Sequence, residues 1–325
     1  MGECAGDGGW RACCDRGGSV IRQFSGDDVL AVPATRVVEA IKRAAEDPRT
    51  LQRSAARSAF GAPGGEMLLM PAADDRLTGV KLATIAPGNP ANGLPRVQGV
   101  YVLFDSTTLT PVAVIDAVEL TAVRTAGVSM VGIAALGGAQ GRTAIVGTSV
   151  QARAHLRLLV ELGWCNDFTV HGRRTEAVEE LAAYAKSLGA QATPGTTDDL
   201  RTAKQVICCT SASTPVVPDT LAHDVIAVAV GSHTPTAAEL PAGLFKDAQV
   251  VVESQTAATT EAGDVILAVA AGTLPADAPV ELGSVLRGEV KIDPTKRRIF
   301  KSVGMAWQDL AVATAVFESD ISERG

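Results

Sequence analysis

The sequence has no excess of positive charge, no long apolar run and few of the side chains that bind metals. Its net charge is −7 and its isoelectric point is about 5.2. Proteins that wrap nucleic acid or lie on anionic membranes need basic patches, so we expect neither kind of partner. No apolar run approaches the roughly 20 residues that span a bilayer, and no apolar signal core follows Met1. We therefore expect a cytoplasmic protein.

The cysteines and histidines do not form a metal-binding pattern. The chain has six Cys and four His, without the paired CxxC spacing that is typical of zinc sites, so we expect no metal. Cys208 and Cys209 lie in an apolar run, which predicts buried and inert thiols. The Gly-rich residues 1–18 contain three further cysteines, and we expect this leader to be disordered or to be an artefact of start-site choice.

The residues that are abundant indicate a globular protein of two domains. Hydrophobic residues make up 46% of the 325 residues and charged residues 20%, which suffices for a large core without disulfides or metals. In the first half, apolar residues at helical spacing predict a helix over 33–45. Strand-like runs follow without intervening helices, which favours an antiparallel or mixed sheet. These runs lie at 67–70, 78–83, 97–104 and 112–115.

The second half alternates strands with helices. An Ala-rich stretch over 117–136 predicts a long helix that links the two domains. Beyond it, β-branched runs separated by helices indicate a parallel sheet that is covered on both faces. The predicted strands lie at 143–146, 167–170, near 191, and at 206–209, 225–230 and 250–253, with helices at 152–162 and 175–188. A helical tail, from about 305 to 321, is expected to return to the first domain.

These patterns together predict an α/β fold. We expect a Rossmann-type doubly wound parallel sheet in residues 121–304. We expect an α+β domain to be formed by residues 19–120 together with 305–325.

The segment that joins the first strand of the parallel sheet to its helix has features of a dinucleotide-binding loop. Gly147 permits a tight turn, and N–H groups at the start of the helix can hold a pyrophosphate. Ser149 and Ala152 replace the second and third glycines of the usual motif. An ordinary strand-to-helix turn is therefore the alternative interpretation, although the strand, loop and helix follow in the right order.

Two arginines follow the second strand of this sheet. An NAD-preferring site usually has an acidic residue here for the ribose 2′-hydroxyl, but the sequence continues Val170-His-Gly-Arg173-Arg174. Because guanidinium holds phosphate through two hydrogen bonds, the pair favours NADP(H) with its 2′-phosphate, while NAD(H) stays possible. The alternative is that both arginines are solvated at the start of the next helix.

Short motifs occur in a distinctive order along both halves of the chain. They are Lys81-Leu-Ala-Thr-Ile-Ala-Pro-Gly-Asn-Pro, Gly93-Leu-Pro with Asp105, Leu120-Thr-Ala-Val-Arg-Thr-Ala-Gly-Val-Ser, Cys209-Thr-Ser, Val230-Gly-Ser-His-Thr-Pro-Thr-Ala-Ala-Glu-Leu, Glu261-Ala-Gly-Asp, and Lys301-Ser-Val-Gly with Asp309. With these motifs the chain, from roughly Pro33 to its C-terminus, resembles the ornithine cyclodeaminase/mu-crystallin family. That family includes ornithine cyclodeaminase, an alanine dehydrogenase, cyclic ketimine reductases and mu-crystallin.

The resemblance implies a nicotinamide-dependent enzyme and suggests which residues serve it. Members are typically homodimers whose N-terminal domain carries substrate and dimer contacts, so both roles are expected of residues 19–120 with 305–325. Arg57, Lys81 and Arg124 are implied to hold the carboxylate of a small substrate, with Arg53 as the alternative to Arg57. The implied cofactor contacts are Thr125, Gly147, Thr148, Ser149, Val150, Gln151, Arg173, Arg174, Thr210, Ser211, Val230, Ser302 and Val303.

His233 departs from part of the family and decides the expected chemistry. In the cyclodeaminases and the alanine dehydrogenase, an Asp at this place acts on the substrate. His233 cannot supply a fixed negative charge, although it can donate or accept a proton. The ketimine reductases and mu-crystallin also lack the Asp, so the resemblance favours a reductase.

The expected reaction is the reduction of a cyclic ketimine carboxylate by NAD(P)H. The substrates would be Δ1-pyrroline-2-carboxylate or Δ1-piperideine-2-carboxylate, and the products L-proline or L-pipecolate. Lys81, His233 or an ordered water would hold the proton for the imine nitrogen. Two alternatives stay open. One is an ornithine cyclodeaminase or alanine-type amino-acid dehydrogenase, and the other is a non-catalytic NADPH-dependent ligand binder of the mu-crystallin type.

Overall fold

The computed structural model describes residues 21–138 and 141–324, so the expected leader of residues 1–18 lies outside the described part. Within this part, six strands form the first sheet: β1 (Arg22–Phe24), β2 (Ser58–Ala62), β3 (Gly65–Ala73), β4 (Leu77–Ile85), β5 (Val97–Asp105) and β6 (Pro111–Asp116). Their order across the sheet is β1-β6-β5-β4-β3-β2. The β1–β6 pair is parallel and the other neighbours are antiparallel, which confirms the predicted mixed sheet.

The second sheet is parallel throughout the described residues. Its strands are β7 (Thr143–Val146), β8 (Asp167–His171), β9 (Gln191–Pro194), β10 (Gln205–Cys208), β11 (Ile226–Ala229), β12 (Gln249–Val252), β13 (Val280–Glu281) and β14 (Arg298–Lys301). The order is β13-β12-β14-β11-β10-β7-β8-β9, so the chain reverses its direction of travel across the sheet between β7 and β10. Ligands of open α/β sheets bind at such a switch point. The predicted Rossmann-type sheet is confirmed, with β14 inserted between β11 and β12.

Helices cover both sheets, and several begin at side-chain caps. They are α1 (Gly26–Ala31), α2 (Ala34–Glu46), α3 (Ala117–Ala135), α4 (Val150–Glu161), α5 (Thr175–Ser187), α6 (Thr197–Thr202), α7 (Gln255–Thr260), α8 (Gly263–Ala270), α9 (Leu282–Leu286) and α10 (Ala306–Arg324). Ser25 and Thr196 start α1 and α6 through capping boxes, which satisfy otherwise unpaired N–H groups. The sequence placed the start of α4 at Ala152. It begins two residues earlier because Ser149, in extended conformation, is the N-cap.

Helix α3 belongs to both halves of the molecule. It packs against α2 and α10 beside the first sheet and against α4 beside the second, and the ring of Phe300 from β14 lies against its Gly132. By length and mean hydropathy, which is 1.3, it could cross a membrane, yet 78% of that apolar window is buried inside the protein. The sequence reading missed this apolar segment because Glu119 and Arg124 interrupt it. Its composition is accounted for by burial between the sheets.

The C-terminal helix α10 returns to the first sheet, as the sequence predicts. It packs against α2, α3, β3 and β4. As a result, side chains near residue 309 reach the inner face of β4, while the preceding strand β14 stays in the parallel sheet. The cleft between the sheets is therefore bordered by the segment that connects β14 to α10.

Candidate active site

The carboxyl ends of the parallel strands lie level with one another. Val146 of β7 pairs with Cys208 of β10 and with His171 of β8. Lys301 of β14 pairs in the same way with Ala229 and Val252. The segments that follow these strands therefore share one edge of the sheet, and this edge carries the predicted cofactor residues other than Thr125.

The loop after β7 has the geometry that a dinucleotide phosphate requires. Gly147 has a φ of +114°, and a Cβ there would lie 2.6 Å from the Cys209 carbonyl oxygen, so only glycine fits. The Ser149 hydroxyl donates to that same oxygen at 3.0 Å instead of capping α4. The first N–H groups of α4, at Val150 and Gln151, are thus without a side-chain cap and suited to an anion.

Arg173 and Arg174 lie beside this loop and are exposed. The preceding Gly172 packs on Thr148, since a Cβ at Gly172 would lie 2.9 Å from the Thr148 methyl group. Among the described residues, neither guanidinium has an ion pair or hydrogen bond with protein. Both are available to a phosphate at the carboxyl end of β8.

On the other side of the cleft, two buried cations share one buried carboxylate. Lys81 of β4 and Arg124 of α3 are 3% and 7% exposed, and Asp309 of α10 is fully buried. The Lys81 Nζ atom lies 2.9 Å from Asp309 Oδ2, and Arg124 Nε lies 3.2 Å from Asp309 Oδ1. Burial lowers the pKa of Lys81 to about 8, although the Asp309 charge opposes the shift. Lys81 is therefore poised to give up a proton near neutral pH.

Arg57 joins this group from the segment before β2. Its Nη2 atom donates to the carbonyl oxygens of Val303 and Gly304 at 2.9 and 3.0 Å, and lies 2.9 Å from Glu261 Oε2. The rival candidate Arg53 instead pairs with the exposed Asp75 at 2.6 Å, away from the cleft. Of the two arginines, the structure brings only Arg57 to the site.

Gly304 is the point on which the substrate arginines converge. Its φ is +82°, and a Cβ there would lie 2.5 Å from Arg124 Nη1, while its carbonyl oxygen accepts from Arg57. The backbone after β14 is thus packed directly between the two guanidinium groups. Because Ser302 and Val303 immediately precede it, the predicted substrate and cofactor segments are contiguous here.

Sequence reasoning missed the groups that hold this segment. Glu253, at the end of β12, accepts hydrogen bonds from the Ser302 hydroxyl at 2.7 Å and from the N–H groups of Val303 and Gly304 at 2.8 and 3.1 Å. Gln308 donates to Glu253 and accepts from Arg124 Nη1 at 2.8 Å. A buried carboxylate thus fixes the loop, and an amide connects it to the substrate arginine.

A second buried network holds the loops after β10 and β11. Glu239 accepts from the N–H and hydroxyl of Thr210, at 2.6 and 2.8 Å, and from the N–H of Gly231 at 2.7 Å. Asp264 accepts from the N–H of Glu239 at 2.7 Å and pairs with Lys301 at 2.9 Å. Neither carboxylate was predicted as a site residue, although Glu239 and Asp264 each belong to one of the motifs that carry the family resemblance.

His233 lies on the loop that this second network supports, and its side chain is exposed. Surrounding protein atoms, and then the Arg57 charge, lower its pKa below the ordinary value of 6.5. His233 is therefore mostly neutral at neutral pH, which leaves its place without a fixed charge of either sign.

Four predicted cofactor hydroxyls are already engaged within the protein. Ser149 donates to the Cys209 carbonyl oxygen, Thr125 to the Thr121 carbonyl oxygen at 2.8 Å, Thr210 to Glu239, and Ser302 to Glu253. These side chains shape their segments, and any cofactor contact would come from other atoms of the same residues. Ser211 and Val230 also lie at the sheet edge. Ser211 is exposed and Val230 is partly exposed.

The fold and this edge define a protein of the Rossmann dinucleotide-binding class, in which the cations beside the first sheet face the strand ends of the parallel sheet. The chain belongs to the ornithine cyclodeaminase/mu-crystallin family, whose model matches residues 29–324. The resemblance seen in the sequence motifs is thereby confirmed.

Relatives of known name cover most of the chain. A Δ1-pyrroline-2-carboxylate reductase 2 of Burkholderia ambifaria is 32% identical over 264 residues, which are 81% of this chain and 83% of that protein. A Δ1-pyrroline-2-carboxylate/Δ1-piperideine-2-carboxylate reductase of Azospirillum brasilense is 34% identical over 253 residues, 76% and 78% of the two chains. The structure of Thermococcus litoralis Δ1-pyrroline-2-carboxylate reductase with NADH and L-proline matches with a TM-score of 0.84, over 93% of this chain and 98% of that one. At its 24% identity this match shows the shared fold.

Proposed function

We propose that the protein reduces a cyclic ketimine carboxylate, Δ1-pyrroline-2-carboxylate or Δ1-piperideine-2-carboxylate, to the corresponding cyclic amino acid. The observation that carries the proposal is the pair Lys81 and Arg124, two buried cations that share the single carboxylate of Asp309. Within this trio of side chains one positive charge is left over beside the carboxyl edge of the Rossmann sheet. A substrate carboxylate would balance it, and the named reductases among the relatives act on such substrates.

The side chains fit the steps that this reduction needs. Arg124 and Arg57 present planar forks on either side of Gly304, which suits a planar carboxylate. Lys81, with its pKa lowered to about 8 by burial, can give a proton to the imine nitrogen. When bound, the nicotinamide cofactor supplies the hydride for the ring carbon. Together, one hydride and one proton convert C=N to CH–NH.

The backbone of the loop after β7 fits the phosphates of a dinucleotide cofactor. Gly147 keeps the backbone close to β10, and the uncapped N–H groups at Val150 and Gln151 face the sheet edge. We further propose that NADPH is preferred over NADH. The support is that Arg173 and Arg174 are exposed and without protein partners, where an acidic residue would suit NADH.

The absence of a carboxylate at His233 favours the reductase over cyclodeamination. Oxidation and cyclisation of a diamine pass through ammonium and iminium states that a fixed negative charge would stabilise. Glu261 does lie nearby, but it is paired with Arg57 at 2.9 Å. Neither residue therefore offers a free anion to a second ammonium group.

The outer face of the first sheet supports a homodimer. The strand register places Phe60, Leu69, Leu82 and Val100 on the face opposite Lys81 and Tyr101. Phe60 is 66% exposed and Val100 41%. Apolar side chains on an uncovered sheet face favour a protein contact, and a second copy of this chain is the partner we propose.

Phe60→Asp should shift the sedimentation coefficient to that of a monomer. A monomeric unmodified protein would refute the proposal.

An assay of cyclic imines with both cofactors tests the function. We expect NADPH oxidation that depends on Δ1-pyrroline-2-carboxylate or Δ1-piperideine-2-carboxylate, with proline or pipecolate as product. Release of ammonia from ornithine with NAD⁺ would support a cyclodeaminase instead. Tight NADPH binding without hydride transfer to any imine would indicate a ligand-binding protein.

A further inference from the structure

His155 is a buried polar residue that the proposed chemistry does not use. It lies in the second turn of α4 and is fully buried. Its Nδ1 atom lies 2.7 Å from the Gln151 carbonyl oxygen, and its Nε2 atom lies 2.8 Å from the Ser129 hydroxyl of α3. The Cys209 sulfur lies 3.6 Å from Nδ1. One ring therefore contacts α3, α4 and the end of β10.

The partners define which nitrogen carries the proton. Burial lowers the pKa of His155 to about 4, so the ring is neutral near pH 7. A carbonyl oxygen only accepts hydrogen bonds, so the ring proton is assigned to Nδ1, which donates to Gln151. Nε2 is then an acceptor, and the one hydroxyl proton of Ser129 is shared between this nitrogen at 2.8 Å and the Thr125 carbonyl oxygen at 3.0 Å.

The elements that this ring joins are those that hold the two reactants. Helix α3 carries Arg124 five residues before Ser129. Gln151 lies in the first turn of α4, where the phosphate-binding N–H groups are, and the carbonyl oxygen of Cys209 accepts from Ser149 of the same loop. A shift between α3 and α4 would therefore move the substrate arginine relative to the cofactor loop. Hydride transfer is sensitive to such displacements.

We propose that His155 is a positioning residue, which locks the first turn of α4 to α3 and so sets the distance between the bound cofactor and substrate. The proposal rests on the proposed function only in taking the loop after β7 as the phosphate site. Substitution should therefore change cofactor affinity and turnover without touching either reactant.

Variants that remove one or both hydrogen bonds of the ring distinguish the role of Nδ1 from that of Nε2. His155→Leu removes both hydrogen bonds, and should raise the Kd for NADPH about tenfold and lower kcat at least as much. His155→Asn can still donate to Gln151, because its amide nitrogen occupies the place of Nδ1. It should keep the NADPH Kd near that of the unmodified protein while kcat stays low. Ser129→Ala should reproduce the His155→Asn result, and the double variant should be no worse than either single one.

The control is Leu159→Ala, on the same face of α4 one turn further on and 1% exposed. It should lower the melting temperature but leave the NADPH Kd and the KM of the imine unchanged. Binding is measured by protein fluorescence, separately from turnover. An unaltered Kd and kcat in His155→Leu, or equal losses in Leu159→Ala, would overturn the proposal. If His155→Leu does not fold, His155→Asn decides the proposal, because it should lower kcat while leaving the NADPH Kd unchanged.

The design also distinguishes failure of the inference from failure of the function. An unmodified protein that binds NADPH but reduces no imine would contradict the proposed function. The Kd comparison would then still decide the role of His155. No binding of NADPH or NADH by the unmodified protein would overturn both proposals.

Discussion

Two buried charge networks in this molecule use the same residue types in different proportions. At the cleft, Lys81 and Arg124 share one carboxylate, that of Asp309. Below the neighbouring loops, Lys301 pairs with Asp264 and donates to a backbone carbonyl oxygen at 2.7 Å, while the second buried carboxylate, that of Glu239, accepts three hydrogen bonds. A surplus buried cation is costly until an anion joins it, whereas carboxylates that are paired or hydrogen-bonded within the protein need no ligand. The comparison indicates that a surplus of cations marks a binding site for an anion, and that a network satisfied within the protein is a scaffold.

Breaking the network of Lys81, Arg124 and Asp309 should give the largest effect. Lys81→Met should lower kcat/KM for the imine about 1000-fold, because it removes both a carboxylate contact and the proton donor. Stability should change little, since Asp309 keeps Arg124 as its partner. Steady-state kinetics and urea unfolding of the same variant check both statements. Activity above a tenth of the unmodified level would remove Lys81 from the site.

The pH profile sharpens this first prediction. The pKa of Lys81 in the folded protein is about 8, lowered from 10.5 chiefly by burial. As pH rises through about 8 the proton is lost, so kcat/KM should fall about tenfold per pH unit above that point. The unfolded chain keeps this proton up to a higher pH than the folded protein does. The contribution of Lys81 to the free energy of unfolding should therefore rise with pH between those two pKa values. Both trends should be missing from Lys81→Met.

Breaking the Lys301 network should lower stability and leave chemistry intact. Asp264→Asn keeps the acceptor for the N–H of Glu239 but removes the carboxylate that pairs with the buried Lys301, which should cost about 3 kcal/mol of unfolding free energy. The matched control Asp198→Asn breaks an exposed pair with Arg201 and should cost less than about 1 kcal/mol. A fall in kcat without a fall in stability would contradict the comparison.

Replacing Arg173 and Arg174 together by Ala tests cofactor choice. We expect NADPH binding to weaken by about 2 kcal/mol, because charge-assisted hydrogen bonds to the 2′-phosphate are lost, while NADH binding stays the same. Titration of both cofactors into both proteins measures this difference. The idea fails at once if the unmodified protein prefers NADH.

The smallest effect is expected at the exposed His233. His233→Asp places a carboxylate where the cyclodeaminases have one, and should lower imine reduction less than tenfold if the loop only shapes the cleft. Little ornithine deamination should be gained, because Glu261 already pairs with Arg57 and the rest of the pocket is unchanged. A larger loss of reduction would mean that His233 handles the proton.

Local patterns in the sequence were sufficient for the loop at Gly147, for ten of the fourteen strands in the described residues and for the five longest helices, but they missed β1, β2, β13, β14 and the five short helices. They could not find the carboxylates, because a pairing such as Lys81 with Asp309 joins residues 228 positions apart. One signal for Asp309 was present in the sequence. Lys81 and Arg124 lie among apolar or small residues and so require a counter-charge, and Asp309 accompanies the Lys301-Ser-Val-Gly motif. The choice between Arg53 and Arg57 also depended on tertiary contacts, since both occupy the same polar segment.

The return of α10 to the first sheet has a consequence for the order of synthesis. The β4 strand with Lys81 leaves the ribosome long before Asp309, and β14 enters the middle of the parallel sheet equally late. Such long-range contacts slow folding, and they postpone completion of both cores until β14 and α10 have been synthesised. A chain interrupted before α10 would hold Lys81 and Arg124 without their counter-ion. The cleft therefore gains the carboxylate that Lys81 and Arg124 share only once α10 has been translated.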